Sequence, residues 1–296
     1  MSGTYNDIKQ RLTGVRETRQ MTNAMYLLSA ARLKKAMHSM DYTLEYNDKL
    51  RRTMTDILAM SEDKRLKSIY LERSPKGGPL IMFVMGDKGL CGSYNNDVAL
   101  LTLQVLEKLP DATVCCFGRM AYDFLRGKGV KPKVVFPGSS MHPEFSMASE
   151  ISKTLVEKYL TDEYNEVFII YTPFSRKGKL KPVCFRLLPL FGKDFTDLDE
   201  VPPTDLIYEP DPESVFPHIV PLYCTALLYN LLVQSSASEN SARMEAMQNA
   251  CDNADEMIDT LSAEMNAVRQ LTITNEITEI AAAAEARKAA EKKTDG

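Results

Sequence analysis

The sequence predicts two very long helices, one at each end of the chain, enclosing an α/β domain with a largely parallel sheet. The helices are expected to pair as an antiparallel coiled coil. Three observations predict this. Residues 5–60 contain no proline and a single glycine, Gly14. From Met244 to Val268, apolar residues step 3-4-3-4-3-4-3. Between these segments, short β-rich runs alternate with helical stretches, the pattern of strands joined by crossover helices. The expected divisions are a helix over 1–60, the α/β domain over 61–210 and a second helix over 211–296.

In the N-terminal helix, Ile8, Leu12, Val15, Thr22, Met25, Leu33, Ala36, Met40, Leu44, Leu50, Met54 and Ile57 return at helical spacing. At about 1.5 Å per residue it spans roughly 80 Å, more than a domain of this size can cover, so it is expected to find partners. In the middle, strands are predicted at PLIMFVM (79–85), ATVCCFG (112–118), KVVF (133–136) and EVFIIYT (166–172), with helices near 94–108, 119–128 and 146–160. KPVCFRLLPL (181–190) adds a strand antiparallel to its neighbour, and FGKDFTDLDEVPPTD (191–205) is a loop.

The C-terminal helix is expected to begin near Glu213, after EPDPES, with Pro217 and Pro221 in its first turns, where a missing donor costs little. Its seam is Met244, Met247, Cys251, Ala254, Ile258, Leu261, Met265 and Val268, a heptad pattern that calls for a partner helix. The pattern then slips to Leu271, Ile273, Ile277 and Ile280, and EARKAAEKKTDG (285–296) has no seam and should fray.

Composition excludes several functions. A net charge of −4 gives no basic surface for nucleic acid. No run of eighteen apolar residues occurs, so no membrane span is expected. The N-terminus lacks an apolar signal core, which makes a cytoplasmic setting the expectation. Six scattered cysteines form no CxxC pair, and of the three histidines (His38, His142, His218) none is near another, so no zinc site is expected. No GxSxG elbow is present. The carboxylate pairs Asp162/Glu163 and Asp252/Asp255 read as solvated charges on helix surfaces.

The chemically suggestive stretch is LIMFVMGDKGLCGSYN (80–95), an apolar strand followed by Gly86, Gly89 and Gly92. It is not a phosphate loop of the GxxxxGK[ST] kind, because Cys91 stands where that motif places its second glycine. Its GxxGxxG spacing also misses GxGxxG. A tight strand-to-helix turn needing positive φ is the favoured reading over a phosphate cradle.

IKQRLTGVRETRQMTNAMYLLSAARLKKA (8–36), MGDKGLCGSYN (85–95), YEPDPES (208–214) and the long block from Ser238 to Ile280 resemble the gamma-subunit family of F-type proton-translocating ATP synthases. The resemblance implies that the terminal helices wind into the rotating central shaft, inside a ring of alpha and beta subunits. The α/β domain would be Rossmann-like without a bound nucleotide, beside the epsilon subunit and the membrane rotor ring of c subunits. It further implies a peripheral protein at the cytoplasmic face of the cell membrane, with no catalysis and no cofactor of its own. The alternative from another class is a nucleotide-binding enzyme with a helical arm, which would need the glycine loop to hold phosphate.

Residue by residue, the resemblance assigns rotor–stator contacts to Met25, to Lys88 (positive charge) and Cys91 (close contact) in the glycine loop, and to Arg243, Arg269, Gln270, Thr274 and Glu276. This chain departs from the family pattern at Asn23, Gly86, Asn240, Cys251 and Asn275, which softens the contacts it can assign. Segments such as LLSAARLKKA (27–36) and SSASENSA (235–242) offer little to grip, as a weakly held shaft requires.

Overall fold

The computed structural model describes residues 2–60, 68–72, 74, 76–136, 138–176, 178–191 and 207–294. Ten elements follow in order: α1 (Ser2–Met60), β1 (Gly78–Val84), α2 (Tyr94–Lys108), β2 (Thr113–Phe117), α3 (Arg119–Gly127), β3 (Val134–Phe136), α4 (Phe145–Leu160), β4 (Tyr164–Tyr171), β5 (Val183–Leu188) and α5 (Pro212–Thr294). The loop expected over 191–205 lies almost wholly outside the described residues, as do the side chains of the tail expected to fray. The described backbone is helical through Thr294.

The chain forms two compact units: residues 28–245, and residues 1–27 with 246–296. In the larger unit the sheet order is β3-β2-β1-β4-β5. Strands β1 to β4 pair in parallel, and β5 joins β4 antiparallel, as expected. Strand β1 is buried on both faces, which is why it reads as a continuous apolar run without alternation. Leu80, Met82 and Val84 face a core built with Ile151 and Leu155 of α4, Phe216, Val220 and Leu228 of α5, and Met54 and Ile57 of α1. Ile81 and Phe83 face the other way, against Val98 of α2 and Ala121 and Leu125 of α3. Each such side chain contributes about 1.5–3 kcal/mol on burial, so helices on both faces fix the sheet.

In the smaller unit α1 and α5 run antiparallel. Ile8 and Leu12 pack on Leu261, Arg19 Nε meets Asp255 Oδ1 at 3.0 Å, and Thr22 Oγ1 lies 3.2 Å from Cys251 Sγ. As the α1 number rises, the α5 number falls. The seam from Met247 to Val268 is buried or half-buried throughout.

Five expectations need correction. First, Leu44 is 43% exposed, and the inward positions near it are Thr43 and Asn47. The inward face of α1 keeps an unbroken 3-4 spacing from Ile8 to Ile57 through Thr22, Ser29, Thr43 and Asn47. Thr22 is among the expected positions; an apolar count skips Ser29, Thr43 and Asn47. Thr43 tolerates burial because its hydroxyl donates to the Ser39 carbonyl.

Second, α5 begins at Pro212, so Pro217 and Pro221 stand inside the helix, past the four free N–H groups of its start. Each removes a backbone hydrogen bond, and the packing of Phe216, Val220 and Tyr223 into the core holds this stretch helical. Third, α5 does contain a stretch long and apolar enough to cross a membrane by length and composition. Just over half of that stretch is buried, and Leu228, Leu231 and Leu232 of α5 are core residues of the larger unit.

Fourth, Asp162 and Glu163 lie in the turn between α4 and β4. Glu163 is bonded by Lys133 and, at 2.8 Å, by Lys158. Fifth, of the loop glycines only Gly92 (φ 58°) takes positive φ, with Leu90 (φ 60°) sharing the turn.

Candidate functional site

In an open sheet of this order the topological switch point lies between β1 and β4, and ligands bind outside the carboxyl ends of those strands. Here the chain fills that place itself. The stretch of α5 from Ser235 to Asn240 is buried across it, and Arg243 is buried one turn further on. Ser238 Oγ donates to the Thr172 carbonyl just past β4 at 2.9 Å, and Ser236 Oγ donates to the Met141 carbonyl. Glu239, fully buried, reaches the loop after β1. A Cβ on Gly86 would stand 2.8 Å from its carboxyl group, so close approach is what this glycine permits.

The Glu239 carboxylate accepts from Arg243 Nη2 at 2.7 Å and from Ser140 Oγ at 3.1 Å. Burial pushes its carboxyl upward, opposed by Arg243 and by the Ser140 hydrogen bond. Arg243, itself buried, donates onward to the carbonyls of Lys88 (3.2 Å) and Gly89 (3.3 and 3.4 Å). A second acid, Asp87, accepts from the Arg119 N–H at the start of α3, from Ser139 Oγ and from the Ser140 N–H. The Gly86 N–H donates to Asn95 Oδ1 at 2.9 Å. Two donors that a phosphate in this loop could use, the Arg119 N–H at the start of α3 and the Gly86 N–H, thus already meet Asp87 and Asn95. The buried Glu239–Arg243 pair occupies the crevice, so a phosphate would have to displace it. The arrangement can hold a loop still; it offers no acid–base pair to a substrate.

The expected contact residues fall into separate groups. Lys88, Cys91 and Arg243 come together around the glycine loop. Lys88 is exposed, whereas Cys91 is 2% exposed and Arg243 3%. Cys91 Sγ accepts from Asn95 Nδ2 at 3.2 Å, and burial pushes its thiol up, so it is a packed, unreactive group. Met25 is half-buried on α1, one turn beyond Thr22. Arg269, Gln270, Thr274 and Glu276 are exposed on α5 just past Val268, the last seam residue packed on the Ile8 cluster. Thr274 Oγ1 donates back to the Gln270 carbonyl. Leu271, Ile273, Ile277 and Ile280 are exposed among them. The reading of the sequence missed Glu239, Asp87, Ser140 and the outward Leu90, which is 63% exposed. The one available signal was an acid four residues before Arg243, at helix ion-pair spacing.

The family model described as ATP synthase matches residues 4–286. The ATP synthase gamma chain of Halothermothrix orenii is 33% identical over 286 residues, covering 96% of this chain and 99% of that one. The chain belongs to the ATP synthase gamma-chain family. The gamma chain of Moorella thermoacetica is 36% identical over 283 residues, covering 95% and 98%. Among solved structures, a chain of the Euglena gracilis mitochondrial ATP synthase aligns with a TM-score of 0.65 at 16% identity, over 99% of this chain and 97% of that one. One from the Tetrahymena thermophila central stalk and c-ring gives 0.56 at 22% identity, over 78% and 99%. At these identities the structural likeness speaks for the fold alone. As a gamma chain the protein is a non-catalytic subunit, the central rotor shaft of an F-type ATP synthase, and its domain is a Rossmann-like one.

Proposed function

We propose that this shaft couples ion flow to the catalytic cycle through two exposed contact surfaces. One is the Lys88–Leu90 turn of the glycine loop. The other is the face of α5 carrying Arg269, Gln270, Thr274 and Glu276. The partners at these surfaces are the alpha and beta subunits. The epsilon subunit and the c-subunit ring bind elsewhere on the chain, at the cytoplasmic face of the cell membrane.

The observation that carries this reading is the exposure of α5 beyond Val268. Arg269, Gln270, Thr274 and Glu276 are exposed there together with the apolar side chains of Leu271, Ile273, Ile277 and Ile280. Exposed ion pairs contribute only about 0–1 kcal/mol each, so a turning shaft can make and break them at every step. A partner shifts a conformational equilibrium by its differential affinity for the two states. An asymmetric shaft offering different side chains at each angle therefore gives otherwise equivalent catalytic sites different nucleotide affinities in turn. Beneath the loop's outer turn, Cys91 of the loop and Arg243 of α5 serve from inside, shaping what Lys88 presents, and Met25 offers the open half of its side chain.

The test is Arg269→Glu, and separately Lys88→Glu, in the reconstituted complex. Reduced torque and ATP synthesis are expected. Unchanged values for both variants would rule the contacts out.

A further inference from the structure

We infer that Glu239 is the positioning residue of the Lys88 loop: through Arg243 it ties the loop to helix α5, so that a force on Lys88 passes into the helix. This rests on the proposed contact of that loop with the stator.

A nine-residue connection with three glycines is compliant by itself. Its outer turn nevertheless has both carbonyls held from below, those of Lys88 and Gly89, by one guanidinium. A planar fork can grip two carbonyls at once because its donors are rigidly arranged. The guanidinium is fixed in turn by Glu239 at 2.7 Å. The carboxylate cannot slide, since Ser140 holds its other oxygen and Gly86 closes over it. Three connections, after β1, after β3 and along α5, thus meet at one side chain.

Stability does not require an acid here. A buried ion pair rarely exceeds an apolar replacement of equal volume in stability, and its best-attested use is to specify geometry. The specified geometry is the height of Lys88 and Leu90 above α5.

Two measurements test this. In the full chain, Glu239→Gln keeps the shape and removes the charge, while Arg243→Lys keeps the charge and removes the fork. Site-resolved iodoacetamide alkylation of Cys91, packed under the turn, should rise about tenfold or more in each, as expected for losing a charge-assisted buried bond. Cys224, in the core, should stay protected. Unchanged Cys91 protection in both variants overturns the tie, as does equal exposure of Cys91 and Cys224 in both.

In the reconstituted complex, Glu239→Gln should lower the protons pumped per ATP hydrolysed. It should have no further effect when Lys88→Ala is already present, since residues acting as a unit are not additive. Additive losses would show that Glu239 does not act through the loop. If Lys88→Ala alone changes nothing, the stator contact is what fails, and the Cys91 measurement still judges the tie.

Discussion

Replacing Gly118 with alanine should destabilise the larger unit more than any other single glycine-to-alanine change of comparable exposure, and the reason is a collision of backbone with backbone. Gly118 follows β2 and caps α3, with φ 93° and ψ 147°. A Cβ built there stands 2.1 Å from the Met85 carbonyl oxygen and 3.3 Å from that of Gly86. Neither atom is the tip of a flexible side chain. Moving them loosens two hydrogen bonds, Met85 N–H to the Phe117 carbonyl and Met120 N–H to the Gly86 carbonyl, both 3.0 Å. A conformation nearly restricted to glycine costs about 1–3 kcal/mol for alanine, and each bond adds about 1 kcal/mol. The sum is roughly 3–5 kcal/mol, a fall of about 6–20 °C in Tm for a unit of this size. Gly129→Ala is the control, because its φ is 71° but nothing lies within 4 Å of the new Cβ. It should cost only about 1–2 kcal/mol. Thermal unfolding of the two purified variants, followed by circular dichroism, makes the comparison. Equal Tm shifts would refute the collision argument.

Leu261→Ala removes a side chain 4% exposed against Ile8 and Leu12, and should cost about 2–5 kcal/mol. Hydrogen exchange should quicken at residues 5–20 and 255–268 while β1 and β4 stay protected; equal quickening in both units would contradict this. Lys133 and Lys158 together hold the Glu163 carboxyl down to about 2 from an ordinary 4.5. A depressed carboxyl stabilises the fold above its unfolded value and loses that effect as pH falls through the folded one. The Tm gap between the native chain and Glu163→Gln should therefore be full above about pH 4.5 and close between there and about pH 2. A gap independent of pH would assign the effect to packing instead.

Much of the architecture was legible because the signals are local. The strand runs at 79–85 and 112–118 gave β1 and β2 within a residue or so, since β-branched and aromatic runs bounded by turns leave few alternatives. The α5 seam was equally plain, each apolar step being set by helix geometry. The middle of α1 was less so. There burial follows position in the heptad and not residue type, so Thr43 and Asn47 face inward while Leu44 does not. The candidate site was readable only in part. The family pattern pointed to Lys88, which is exposed, and also to Cys91 and Arg243, which are buried. Nothing local distinguishes an arginine that will project from one that will be folded under a loop.

The sequence by itself determined the helices, the strands and the absence of a standard phosphate motif, because periodicity and spacing act over a few residues. The tertiary structure alone decided what occupies the crevice at the end of the sheet. Glu239 meets Gly86 across more than 150 intervening positions, and only the closed fold brings that carboxylate to where a ligand's charge would otherwise lie.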